Sequence, residues 1–221
     1  RNQNLDPTNY IKFAKKFGKL AKYPRLKGLS AKFPEITVVE RKSTDKGPSF
    51  GEQFHTDSSY TKKPPKFTML LSKQVPKLGL ANTEFSSQYL AYKDLDLKYK
   101  KKLSTLSGIY SSNGPIAITT VDRTKEKGKL KKEIIAKHKL IKKIKGKKTI
   151  YCSPGHLINF SEKNKKDLKL KKYLTNHQIK KKFQYSLEWE KDQLAIWDNR
   201  SMLHQATPFN GKRKMYRITI K

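Results

Sequence analysis

Five histidines occur among the 221 residues, at positions 55, 138, 156, 177 and 204. Only His55 has an acid two residues on, in Phe54-His55-Thr56-Asp57. In an extended strand, residues i and i+2 point to the same side. His55 and Asp57 can therefore address one point as metal ligands. A third ligand must come from elsewhere. His204 is the best placed, in Trp197-Asp198-Asn199-Arg200-Ser201-Met202-Leu203-His204. It follows an apolar strand and lies far along the chain, as a sheet folded back on itself requires. Two histidines and one carboxylate on one face of a metal suit non-haem Fe(II) chemistry, with positions left open for a chelating co-substrate and O₂. A lone His-x-Asp is weak evidence. With 18 acids in 221 residues, five histidines produce one about a third of the time by chance. Taken alone, His55 reads as a hydrogen-bonded polar histidine.

Composition bounds the rest. Lys plus Arg is 51 against 18 Asp plus Glu, a formal charge of +33. That invites a nucleic-acid reading. Only seven of the basic residues are Arg, however, and base readers lean on Arg for bidentate contacts. A lysine excess spread over most segments reads as solvated surface, with non-specific polyanion binding in low salt. No specific nucleic-acid partner is expected. Hydrophobic residues make up 35% and aromatics 10%, enough for a core at this length. No apolar run reaches the roughly 18 residues of a membrane span, so no membrane partner is expected. The single cysteine, Cys152, excludes an internal disulfide framework and a cysteine-based zinc finger. A reducing compartment, the cytoplasm, is the simplest setting. A homo-oligomer remains open.

The elements that must position these residues are mostly strands. Asp6-Pro7 reads as a helix start, with Tyr10, Phe13, Ala14 and Phe17 at helical spacing and Gly18 as a stop. Strands are expected at 35–40, 67–72, 115–121, 149–153, 183–189, 193–197 and 215–220. In 183–189, Phe183, Tyr185, Leu187 and Trp189 should share a face. Helices are expected at 86–94, 95–106 and 164–177, the last with Leu170, Leu174 and His177 on one face. The chain reads as a single domain over 1–221, with a lysine-rich excursion at 124–148 taken as a mobile surface segment. Many short strands with few helices suggest a mainly β architecture, a β-sandwich or jelly roll with helical decoration.

Three stretches carry a resemblance. Gly51-Glu52-Gln53-Phe54-His55-Thr56-Asp57-Ser58-Ser59-Tyr60, followed by Pro64-Pro65, resembles the first iron motif of the taurine dioxygenase (TauD/TfdA) family. Trp197-Asp198-Asn199-Arg200 through His204 resembles its second iron motif. Arg213-Lys214-Met215-Tyr216-Arg217 resembles its closing strand, with two arginines four apart. Their order and separations cover nearly the whole chain.

The resemblance implies a double-stranded β-helix and an Fe(II)- and 2-oxoglutarate-dependent dioxygenase. Such an enzyme hydroxylates a small organic substrate with release of succinate and CO₂. It implies that His55, Asp57 and His204 hold iron. It implies that the far carboxylate of 2-oxoglutarate pairs with Arg213 and hydrogen-bonds to Thr83. A bidentate guanidinium suits a planar carboxylate, so Arg in a lysine-preferring chain makes physical sense at 213. Residues four apart share a strand face, so Arg217 reaches the same pocket. There it either supports the 2-oxoglutarate end or meets an anionic group on the substrate.

The sequence departs from the family in places. Gly79-Leu80-Ala81-Asn82-Thr83 stands where a Gly-Gly-Asp-Thr-like turn is usual, and Lys191-Asp192 where Gly-Asp is usual. Tyr23 falls where taurine dioxygenase has the histidine that grips sulfonate, which argues against taurine as the substrate. The sequence is expected to lack the family's N-terminal strands. Other residues receive ordinary readings: His138 and His177 on a surface or helix face, His156 in a loop where it reads first as surface and second as pocket lining, Trp189 and Trp197 in the core. Tyr110 and Phe160 are candidates for the substrate pocket wall. The rival to the enzyme is a non-catalytic lysine-rich module that binds RNA or another polyanion. An oxygenase acting on nucleic acid is a third reading.

Overall fold

A computed structural model describes residues 1–23, 26–120, 132–161 and 167–221. Helix α1 (Pro7–Lys15) begins where expected: the Asp6 side chain accepts from Asn9 N at 2.9 Å and Pro7 opens the first turn. The five-stranded sheet holds β1 (Leu20–Ala21), β2 (Thr37–Arg41), β3 (Phe67–Gln74), β11 (Leu194–Asp198) and β13 (Arg213–Ile220). Strand β13 pairs with β3 along one edge and with β1 and β2 along the other, all antiparallel. A second sheet has the order β10 (Gln184–Leu187), β4 (Thr83–Ser87), β12 (Met202–Ala206). A third orders β6 (Ile135–Lys139), β5 (Ser107–Ser111) and β9 (Leu157–Phe160), and β7 (Ile141–Ile144) pairs with β8 (Lys147–Ile150) as a hairpin.

Strand alternation sorts the side chains. On β13, Ile218 and Ile220 pack with Met69 and Leu71 of β3 beneath Tyr10 and Ala14 of α1. The opposite parity, Arg213, Met215 and Arg217, turns to the other face. There Met215 meets Leu70, Phe85, Trp189 and Trp197, a cluster that joins the first sheet to β4 of the second. Helices α2 (Gln88–Lys93), α3 (Leu97–Thr105) and α4 (Leu168–Gln178) close a separate cluster with Tyr110, Leu157 and Phe160. On α4, Leu170, Leu174 and His177 share the buried face, as their spacing predicts.

Several expectations differ from the structure. Residues 115–120 form a 3₁₀ helix (Pro115–Thr120), not a strand; Val121 lies outside the described residues. The Ile116 and Ala117 amides bond to Gly155 O and Gly114 O, and the Thr119 hydroxyl donates to Ile116 O, which winds the segment. The 183–189 alternation also fails. Phe183 and Trp189 are buried in different clusters, while Tyr185 is 64% exposed. Among the described residues, strand β10 is an edge of its sheet and pairs with β4 alone. The described part of the lysine-rich excursion builds β6, β7 and the start of β8. Residues 124–131 lie outside the described residues. Tyr110 and Phe160 are core residues of the α2–α4 cluster rather than pocket wall.

Leu174 is fully buried in that cluster. Leu174→Ala should cost about 2–5 kcal/mol of stability through lost burial and a residual cavity. A urea melt should show a lower midpoint with an unchanged slope.

Candidate active site

The His-x-Asp segment is not a regular strand. His55 forms a single bridge with His204: His55 N donates to His204 O at 3.0 Å, and His204 N to His55 O at 2.9 Å. This bridge lays residue 55 against the edge of β12, and the chain then turns, with Ser58 at φ +47°. The ligand atoms still converge. His55 Nε2 lies 3.6 Å and His204 Nε2 3.8 Å from Asp57 Oδ1. All three residues are buried, and their candidate ligand atoms lie within 4.8 Å of one another.

The donor chemistry fits a divalent metal such as Fe(II). His55 Nδ1 lies 2.7 Å from Gln53 O, so that nitrogen carries the proton and Nε2 presents its lone pair. Burial, with His55 beside it, pushes the His204 pKa well below its usual value, so the ring is neutral and able to ligate. Burial would raise the Asp57 pKa. The Arg217 charge, with His204 and His55, instead holds it well below the usual carboxylate range. Arg217 Nη2 lies 2.9 Å from Asp57 Oδ1.

A hydrogen-bond chain orients Asp57 from behind. Its Oδ2 accepts from Thr68 Oγ1 at 2.6 Å. Thr68 accepts from Asn199 Nδ2 at 2.8 Å, and Asn199 Oδ1 accepts from Trp197 Nε1 at 3.1 Å. Reading Trp197 as core was half of its role. Thr68 escaped notice because nothing local marks a threonine on an apolar strand.

Two clefts meet at Phe50, Gly51, His55 and Asp57. One is lined by Thr83, Trp197, His204, Ala206, Arg213, Met215 and Arg217. There Arg213 Nη2 donates to Thr83 Oγ1 at 3.3 Å. Arg213 and Arg217 are both buried and open into the same space, as their spacing requires. The other cleft is lined by Tyr23, Ser58, Tyr60, Ile116, Ala117, Thr119 and His156. His156 is therefore a buried pocket residue rather than loop surface. Gly155 N donates to Phe54 O at 3.1 Å, and a Cβ on Gly155 would come within 3.1 Å of His55 Cβ. That close approach presses the 153–156 turn onto the His55 segment. It depends on two loops meeting, which local sequence does not show. His138 and His177 bond to the backbone carbonyls of Thr61 and Ala91, far from these ligands in role.

The sequence profile described as "Taurine catabolism dioxygenase TauD, TfdA family" matches residues 1–219. The chain belongs to the TauD/TfdA family. A 2,4-dichlorophenoxyacetate dioxygenase of Burkholderia sp. (strain RASC), dependent on α-ketoglutarate (2-oxoglutarate), is 24% identical over 99% of this chain and 79% of its own length. An α-ketoglutarate-dependent sulfonate dioxygenase of Saccharomyces cerevisiae is 26% identical over 93% of this chain and 52% of its own. The fold matches a crystal structure of a taurine dioxygenase from Burkholderia xenovorans, with a TM-score of 0.79 and 22% identity over 100% of this chain and 73% of that one. The double-stranded β-helix expected from the motifs is thus the observed fold. As a TauD/TfdA member the protein is a 2-oxoglutarate-dependent non-haem iron dioxygenase that uses Fe(II), 2-oxoglutarate and O₂. The polyanion-binding module gives way to the enzyme.

Thr68→Val removes one hydrogen bond to Asp57 and leaves Asn199 Nδ2 without its acceptor. Divalent-metal affinity should fall about tenfold or more. Calorimetric titration with Co(II) or Fe(II) reads this directly; equal affinity would show that Asp57 needs no support from Thr68.

Proposed function

We propose that His55, Asp57 and His204 hold Fe(II), that Arg213 and Thr83 bind the far carboxylate of 2-oxoglutarate, and that a small organic anion is hydroxylated in the cleft beside Tyr23. The observation that carries this reading is the pair of clefts meeting at His55 and Asp57. One end of the first is a buried arginine beside a threonine hydroxyl, a receptor for one carboxylate. The second presents rings, hydroxyls and an imidazole, a mixed wall suited to a small polar organic molecule.

When bound, iron and 2-oxoglutarate together supply O₂ activation, with decarboxylation to succinate and CO₂ and transfer of a hydroxyl group to the substrate. The chain's own residues do the rest. Asp57, locked by Thr68, stays ionised and fixed. Trp197 and Phe85 pack against the His204 ring and hold its plane. Arg217 lies between the clefts. Arg217 is 3% exposed, and its guanidinium stacks 4.5 Å over Tyr23, which lines the substrate side. Its Nη2 is paired with Asp57 Oδ1 at 2.9 Å, while Nη1 makes no hydrogen bond among the described residues. A buried cation with donors to offer favours an anionic group nearby, and the chain's +33 charge draws anions toward it. Tyr23 in place of a sulfonate-gripping histidine points away from taurine itself.

An anaerobic optical titration with Fe(II) and 2-oxoglutarate tests the assignment. A visible charge-transfer band should form in wild type and be lost in His204→Ala. Arg213→Ala should demand about 100-fold more 2-oxoglutarate. A folded wild-type protein without the band would sink the reading. A screen of small carboxylates, sulfonates and sulfate esters for succinate release should then find stimulation that Arg217→Ala weakens.

A further inference from the structure

We propose that Trp189 is a positioning residue for the co-substrate, acting through the proton of Thr83. The inference rests on the assignment of Thr83 and Arg213 to the far carboxylate of 2-oxoglutarate. A threonine hydroxyl offers one proton and two acceptor lone pairs. Here both acceptor positions are taken. Trp189 Nε1 donates to Thr83 Oγ1 at 2.9 Å, and Arg213 Nη2 donates to the same oxygen at 3.3 Å. An indole N–H and a guanidinium can only donate. Neither can receive the threonine proton, and no hydrogen bond from Thr83 Oγ1 to another described residue competes for it. The proton is left to the cleft that Thr83 and Arg213 line together.

The subsite therefore has a fixed polarity. Thr83 presents O–H and Arg213 presents N–H, so both favour an acceptor with charge, a carboxylate. Without the indole donor, the Thr83 oxygen has a spare lone pair. Its hydroxyl could then turn away from the ligand.

Trp189 is well fixed for this task. It is 1% exposed and packs with Leu70, Phe85, Trp197 and Met215. The Arg213 guanidinium also lies 6.0 Å from the Trp189 ring and 5.9 Å from that of Phe209, so the ring that directs Thr83 also borders its partner. A sequence reading as core accounts for the packing and leaves the N–H unexplained.

A double-mutant cycle separates direction from packing. The dissociation constant of 2-oxoglutarate from the anaerobic Fe(II) protein is measured by calorimetry for wild type, Trp189→Phe, Thr83→Val and the double variant. Trp189→Phe keeps a ring and loses the donor. It should weaken 2-oxoglutarate roughly three- to tenfold. The double variant should bind no more weakly than Thr83→Val alone. Additive losses, or an unchanged constant in Trp189→Phe, would overturn the proposal. Arg213→Ala serves as the control: if it binds as wild type does, the subsite assignment itself fails, and this inference with it. A second readout leaves Trp189 in place. The chain has two tryptophans, so ¹⁵N-labelled indoles give two N–H signals. Thr83→Val should shift one of them and speed its exchange, while Thr83→Ser should preserve both that signal and the affinity for 2-oxoglutarate. A signal and an affinity indifferent to Thr83→Val would overturn it as well.

Discussion

A carboxylate out of water needs partners, and the arrangement around Asp57 follows from that requirement. Burial alone would favour its neutral form. Arg217 on one oxygen and Thr68 on the other keep it ionised and hold it still, with the two imidazoles beside the first oxygen. Each partner comes from a different part of the chain. Thr68 is on β3, His204 on β12 and Arg217 on β13, while His55 reaches its place through one backbone bridge to His204. Bringing them together requires the two sheets to face each other at this point. The buried charge of Asp57 is tolerable because both of its oxygens have partners, and Asn199 and Trp197 extend that network one layer further.

The sheets use alternation to separate packing from chemistry. On β13 one parity packs against α1 and the other carries Arg213, Met215 and Arg217. On β3 the same division sets Met69 and Leu71 apart from Thr68 and Leu70. A single strand thus contributes to stability on one side and to recognition on the other. The basic residues divide similarly. Arg41, Arg213 and Arg217 are buried, where a planar fork makes directed contacts. The lysines largely remain at the surface, where they add field rather than geometry. Arg41 illustrates the point: its η nitrogens bond to the carbonyls of Asp45 and Gly47 and brace the loop after β2.

Much of this was legible in the residues. The Asp6-Pro7 helix start, the α4 face and the cores of β2, β3, β11 and β13 follow from local capping and periodicity. Strands β4, β5, β6, β9 and β12 went unread because they are short and mix small polar residues with apolar ones. Their partners, not their propensities, make them strands. The 115–120 segment looked β-branched and extended, but it pairs with no strand among the described residues and winds into a 3₁₀ turn. His156 looked like loop surface because its burial depends on Gly155 pressing against the His55 segment.

The sequence by itself determined the ligand types, their order and the family to which the chain belongs. Those depend on residue identity and spacing, which a linear chain displays. It also determined that two arginines four apart on one strand would share a pocket, because strand periodicity is local. Only the tertiary structure decided that Thr68 grips Asp57, that Trp189 donates to Thr83, and that His156 lines the second cleft. These contacts span 11, 106 and about a hundred residues of chain. Hydrogen bonds and burial act through space, and the sequence separation of two residues says little about which of them will meet.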